Sequence, residues 1–185
     1  MILSDRDIKK NIKIGKISIL PEPKIEGSSV DLTLANKFKI VEANDSQGSV
    51  AIINPRYEQR IHNCFLETDG SYLICPGEMV LGATSERIKI DDSFSAFVQG
   101  RSSIARLGLE VECAGFCDAG FEGTITLEIV NNSKYPIKLT PGIKICQLIF
   151  IPMLSKPEFP YNKKLSAKYM GQTDPEASRI IKELK

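Results

Sequence analysis

The densest run of chemically capable side chains is GRSSIARLGLEVECAGFCDAGFEGTITLEI, Gly100 to Ile129. Arg101, Ser102, Ser103 and Arg106 bring two guanidinium groups and two hydroxyls to a turn opened by glycine. A planar guanidinium matches phosphate oxygens in bidentate fashion, and hydroxyls and free N–H groups add short donors. The same residues also suit a solvated turn between strands. In AGFCDAGFEG the small residues around Asp118 let backbone approach a flat ligand, Asp118 can accept from a sugar hydroxyl, and Phe121 offers a stacking face. Asp118 can equally cap the N–H groups of a hairpin. Glu128 lies within Thr124 to Val130, a strand-like run. Strict alternation puts Thr124, Thr126 and Glu128 on one face and Ile125, Leu127 and Ile129 on the other. That polar face meets either solvent or a pocket shared with Arg106, and in a pocket Glu128 is a candidate general base.

The elements that must hold these residues are mostly strands. Val30 to Val41 alternates as a strand, and GSVAIIN, Gly70 to Ile90, Phe94 to Gly100, Gly123 to Ser133 and Tyr135 to Met153 repeat a short-strand, turn, short-strand rhythm. Strands at this spacing with Gly, Pro and Asn turns predict a mainly β protein, a sandwich, jelly roll or barrel, and not a parallel α/β sheet. Ser4 followed by Asp7 resembles a capping box and predicts a helix over about residues 5–11. The tail loses alternation and reads as an arm followed by a short helix near 175–184. The expected organisation is one domain, a β-unit over 1–155 carrying the arm 156–185.

Composition excludes other readings. A chain of 185 residues with 42% hydrophobic and 25% charged residues is ordinary for a globular domain, and a net charge of +1 gives no bulk field for nucleic acid or membrane. No apolar run approaches the roughly 20 residues that span a bilayer, and MILSDRDIKK lacks a secretory apolar core. The cytoplasm is the expected compartment, with the five cysteines as small, mostly core residues rather than a disulfide framework. Cys113 and Cys117 form a C-x3-C pair, yet zinc wants a second pair or histidines, and His62 is the single histidine, expected on a hairpin or surface. Walker A, dinucleotide-binding, nucleophile-elbow and zinc-deaminase signatures are missing. Hydrolytic chemistry must come from carboxylate, serine, arginine and backbone.

Several ordered segments resemble the dCTP deaminases of the dUTPase-related trimeric superfamily: MILSDRDI, SSVDLTLANKF, GRSSIARLGL, AGFCDAGFEG, ITLEIVN, PGIKICQLIF and PYNKKLSAKYMGQ. The resemblance covers nearly the whole chain. It implies a distorted β-barrel or jelly-roll subunit that forms a homotrimer with active sites between subunits. It implies that Arg101, Ser102, Ser103, Ile104, Ala105 and Arg106 surround the triphosphate and the reacting water, with Ser102 and Arg106 orienting that water and Glu128, and with the carbonyl of Ala114 nearby. Glu128 would be the general acid/base for attack at cytosine C4, without zinc. Asp118 would meet the deoxyribose hydroxyl, Thr126 and Leu127 the base or sugar, and Gln147, Tyr161, Lys168 and Gln172 the phosphates. Mg2+ would arrive on the phosphates, and dTTP would act as feedback inhibitor. Gly115-Phe116 resembles the dUMP-forming members, where monofunctional deaminases carry bulkier polar residues. The tail lacks the glycine-rich phosphate cap of plain dUTPases, which also lack the glutamate found at Glu128. The chain is one residue shorter between Leu109 and Ala114 than many relatives, leaving the roles of Glu110 and Glu112 open. A non-catalytic nucleotide-binding scaffold is the alternative from another class, but it has no need of a buried base.

Overall fold

The computed structural model describes residues 1–42, 64–112 and 115–180. His62, Cys113, Ala114 and the predicted strand GSVAIIN lie outside them. Helix α1 (Asp5–Lys13) starts where the capping pair predicts: Ser4 Oγ accepts from the Asp7 N–H at 3.3 Å and donates to the Asp7 carboxylate at 2.7 Å. Its apolar stripe buries Ile8 completely.

All strand pairings among the described residues are antiparallel. One five-stranded sheet runs β10 (Leu109–Glu112), β13 (Thr126–Asn131), β7 (Met79–Ala83), β4 (Lys37–Glu42), β5 (Cys64–Asp69). A second runs β11 (Phe116–Cys117), β9 (Phe94–Gly100), β15 (Lys144–Pro152), β3 (Val30–Thr33), β2 (Lys24–Ile25). A three-stranded sheet joins β1 (Ile17–Leu20), β8 (Arg87–Ile90) and β12 (Glu122–Gly123), and β14 (Ile137–Leu139) pairs with β6 (Tyr72–Ile74). Leu32, Leu127, Ile129, Leu148 and Phe150, from strands of both large sheets, are fully buried in one hydrophobic core. Alternation along the strands is what lets one face fill that core while the other stays free for polar residues. A buried carboxylate is absorbed locally: Glu86 accepts from the Thr33 N–H and hydroxyl at 2.9 and 2.8 Å.

Three expectations need correction. Val30 to Val41 is two strands in different sheets, because Ala35 donates to the Ala83 carbonyl and Asn36 accepts from the Gly70 N–H, turning the chain between them. Cys75 is exposed in the turn after β6 rather than in the core, whereas Cys117 and Cys146 are buried. Residues 175–179 are not helical, and of the expected C-terminal helix the part beyond 180 lies outside the described residues. There the Glu176 N–H donates to the Thr126 hydroxyl of the β-unit, and the Arg179 N–H to the Tyr169 hydroxyl of the arm itself.

The predicted cationic turn contains a single helical turn, α2 (Ser102–Ala105). The turn that follows it ends at Gly108, whose φ of 86° is open to glycine and costly for residues with a Cβ. A Cβ there would sit 2.6 Å from that of Ser133. Gly108→Ala should therefore cost about 2–4 kcal/mol, combining left-handed strain with overpacking; urea denaturation showing no loss would contradict this account of the turn.

On the three-stranded sheet, Glu122 lies 3.0 Å from the Arg87 guanidinium and 3.6 Å from Lys89. Arg87 chiefly, and Lys89 with it, hold the Glu122 carboxyl below the usual glutamate range. A lowered folded value adds stability that is complete above the unfolded value and disappears as pH falls through the folded one. Glu122→Gln should cost up to about 1 kcal/mol at neutral pH, and the difference should shrink as pH falls below the ordinary glutamate value of about 4.3 and through the lower folded one. A difference that grows in acid would reverse the assigned sign.

Candidate active site

Most of the sequence-predicted site residues gather in two cavities that have no lining residue in common. The first, about 520 Å³, takes Arg101, Ser102, Ser103, Ile104 and Ala105 from α2 and its entry, together with Gln147 from β15. The second, about 450 Å³, takes Gly115, Phe116, Asp118, Thr126 and Glu128 from the β-unit, and Tyr161 and Gln172 from the arm.

Glu128 reaches its cavity because of β13. Register pairs it with Leu81 on β7 and Glu112 on β10, and the strand alternates half-buried Thr126, Glu128 and Val130 with buried Leu127, Ile129 and Asn131. The alternation begins at Thr126. Thr124 is buried outside the strand, where its hydroxyl donates to the Gln172 carbonyl at 3.3 Å, and Ile125 lines the cavity as well as the core. Leu127 is completely buried, so only its backbone can meet a ligand. The Thr126 hydroxyl accepts the Glu176 N–H at 3.0 Å. Asp118 pairs with Lys164 at 3.5 Å, and the Phe121 and Tyr161 rings stand 5.9 Å apart.

The arm closes one side of this cavity. At Gly123, with φ of 155°, an added Cβ would come within 3.1 Å of the Gln172 backbone. The Gly171 N–H reaches the Glu122 carbonyl at 2.7 Å, and Gln172 exchanges backbone and side-chain bonds with Thr124 at 2.9 and 2.6 Å. Gln172 is 8% exposed, and among the described residues no donor reaches its Oε1. Tyr161 and Gln172, expected beside the phosphates, thus stand with Glu128. Lys168 lines neither cavity; its ammonium lies 6.0 Å over the Tyr169 ring. Arg106 also lines neither and is exposed at the end of α2.

Sequence reasoning missed the residue that organises the first cavity. Asp31, on β3, has a side chain 3% exposed and lies 2.8 Å from Lys144 Nζ and 3.3 Å from Arg101 Nε. Arg101 Nη1 also donates to the Lys144 carbonyl at 3.3 Å. Beside them the Ser29 hydroxyl meets Gln147 Oε1 at 3.4 Å. An aspartate inside the apolar strand run VDLTL was the available signal, of the same kind as Glu128 in its strand. Glu110 lines this cavity too and accepts from the Asn132 amide at 2.8 Å. Tyr169, Glu176 and Ser178 were likewise missed in the second cavity. No group of three or more histidine, cysteine or carboxylate side chains among the described residues is arranged to hold a metal ion, and no helix among them is long and apolar enough to cross a membrane.

The antiparallel sheets define a dUTPase-like jelly-roll fold. Solved structures of similar shape include the dCTP deaminase of Agrobacterium tumefaciens, with a TM-score of 0.60 and 23% identity over 80% of this chain and 47% of that one. The dUTPase of Staphylococcus aureus phage phi11 gives a TM-score of 0.52 at 14% identity over 76% of this chain and 93% of that one. A family model described as dCTP deaminase-like matches residues 2–153. A Methanosphaera stadtmanae protein named dCTP deaminase, dUMP-forming, is 43% identical over 97% of this chain and 93% of its own. One of the same name from a Sulfurihydrogenibium species is 43% identical over 98% of both chains. A Natronomonas pharaonis protein named dCTP deaminase is 38% identical over 97% of this chain and 95% of its own. The chain belongs to the dCTP deaminase-like family.

Asp31→Asn would leave Arg101 and Lys144 facing each other without their carboxylate. We expect a loss of about 1–3 kcal/mol, below the figure for a fully buried pair because both cations are partly solvated. Denaturation midpoints within error of the parent would mean that Asp31 does not hold the pair.

Proposed function

We propose that the protein deaminates dCTP and hydrolyses the triphosphate, releasing dUMP, diphosphate and ammonia. The carrying observation is Glu128, held half-buried in a cavity with Asp118, Thr126 and the Gly115-Phe116 pair. The full-length relatives named dUMP-forming support the product.

In this reading Glu128 takes a proton from water as its oxygen adds to cytosine C4 and passes it to N3; it then moves the C4 hydroxyl proton to the amino group, which leaves as ammonia as the C4 carbonyl forms. The carboxylate supplies the base, so the step calls for no zinc. Ser102, Arg106 and the Ala114 carbonyl orient the water. Asp118 accepts from the deoxyribose hydroxyl, and the Thr126 and Leu127 backbones meet the base. Gln172 Oε1, a buried acceptor on the same cavity, suits an N–H or O–H of the nucleotide. Gly115 lacks a side chain and leaves room for a second water, whose attack at the α-phosphorus releases diphosphate.

The phosphates belong with Arg101, Ser102, Ser103 and Gln147. Because these line a separate cavity from Glu128, the complete site forms between copies, with one subunit supplying the α2 turn and its neighbour the carboxylate cavity and arm. A homotrimer satisfies this. The edge-to-face pair Phe97 and Phe116, with ring centroids 5.1 Å apart, is exposed on the sheet and offers an apolar surface for such a contact. Mg2+ would enter on the phosphates and offset their charge; Ser29 and Gln147 present the hard oxygen atoms that suit its water shell. dTTP, a triphosphate of similar size without the 4-amino group, is the expected inhibitor. The proposed compartment is the cytoplasm, where thiols such as Cys75 stay reduced.

Incubation with dCTP and Mg2+ should yield dUMP and diphosphate without accumulating dUTP, resolved by chromatography. Stoichiometric dUTP would instead make the protein a monofunctional deaminase and remove the role given to Gly115-Phe116; untouched dCTP would point to a dUTPase or a nucleotide-binding scaffold. Glu128→Gln should lower kcat about 100- to 10,000-fold while nucleotide still binds. Turnover equal to the parent's would remove Glu128 from the chemistry.

A further inference from the structure

Arg179 belongs to no motif and lines neither cavity, yet its side chain and backbone tie together three residues of the arm. Its N–H donates to the Tyr169 hydroxyl at 3.0 Å, and its Nη1 donates to the Lys168 carbonyl. Its Nη2 lies 2.9 Å from Glu176 Oε2, and its guanidinium carbon stands 5.7 Å from the centre of the Tyr169 ring. The loop between Lys168 and Arg179 is thereby closed on itself. It is also fastened outward: the Tyr169 N–H donates to the Tyr161 hydroxyl at 3.0 Å, and the Glu176 N–H to the Thr126 hydroxyl at 3.0 Å. Tyr161, Thr126, Tyr169 and Glu176 all line the Glu128 cavity.

We propose that Arg179 is a positioning residue: it knots Lys168, Tyr169 and Glu176 into one unit and so sets the arm across the Glu128 cavity without itself touching the nucleotide. A planar guanidinium serves better than an ammonium, since it holds a carbonyl and a carboxylate from one rigid fork while lying over an aromatic ring; an ammonium offers a point charge without the fork. Clamping both ends of the loop limits the conformations that must be given up when a ligand is enclosed, so the knot acts on affinity more than on the chemical step. The part concerning nucleotide rests on the dCTP reading; the part concerning the knot stands on the arm's own contacts.

The test compares the full chain with Arg179→Ala, Arg179→Lys and Glu176→Gln by amide hydrogen exchange and by steady-state kinetics on dCTP. Arg179→Ala should speed exchange at the Tyr169 and Glu176 amides about tenfold or more while β9 and β13 keep parental protection, the signature of a local opening. It should also raise KM for dCTP about tenfold with a smaller fall in kcat, as loss of binding without loss of chemistry requires. Arg179→Lys should recover only part of both effects, and Glu176→Gln should reproduce the exchange effect in weaker form. Unchanged exchange at the two amides in Arg179→Ala, or acceleration spread evenly over the strands, would overturn the knot. Equal loss of kcat and kcat/KM with KM unmoved would overturn its action through binding. Should the parent fail to turn over dCTP, the functional reading falls while the exchange data still decide whether Arg179 holds the arm.

Discussion

The carboxylate cavity depends on the pinning of β13 between β10 and β7. Leu127 and Ile129 are buried without remainder, so Thr126 and Glu128 must point away from the core. A slip of one residue would exchange the two sets, exposing the leucine and forcing a carboxylate into an apolar interior at a cost of several kcal/mol. Leu127 sits opposite Gly82, where an added Cβ would press within 3.1 Å of Ile129 and Leu34. The small residue lets those side chains meet and makes the register tighter still. Glu128 therefore owes its direction to the packing behind it.

The two cavities share a strand but divide its residues. Val98 of β9 helps wall the Glu128 cavity, while Gln99 and Gly100 belong to the one beside α2. At the α2 cavity, Asp31 pairs with the Arg101 guanidinium and with the Lys144 ammonium behind it, and fixes their spacing. In the proposed assembly the guanidinium that follows α2 meets Glu128 only across an interface.

Local signals were legible in the sequence and remote ones were not. Ser4 and Asp7 announce α1 because a cap is a contact over three residues, and Glu128 announces its face because a strand alternates regardless of what surrounds it. Asp31 and Lys144 meet across 113 residues, and nothing in either neighbourhood names the other. The tail beginning at Pro175 has helix-forming composition, but the N–H groups of Glu176 and Arg179 are taken by the hydroxyls of Thr126 and Tyr169. Tertiary bonds displaced the local preference there. Arg106 was likewise expected to share a pocket with Glu128, yet it is exposed after α2 and lines neither cavity.

Gln172 carries a consequence for how this protein can change. Its Oε1 is buried without a donor from the described residues, an arrangement that costs about 1–3 kcal/mol when nothing supplies one. An apolar side chain of similar shape would avoid that cost. Selection for heat resistance alone would accordingly favour replacing Gln172, whereas retention of the amide is intelligible if a visiting molecule brings the missing hydrogen. The position is one where thermal robustness and ligand recognition pull in opposite directions.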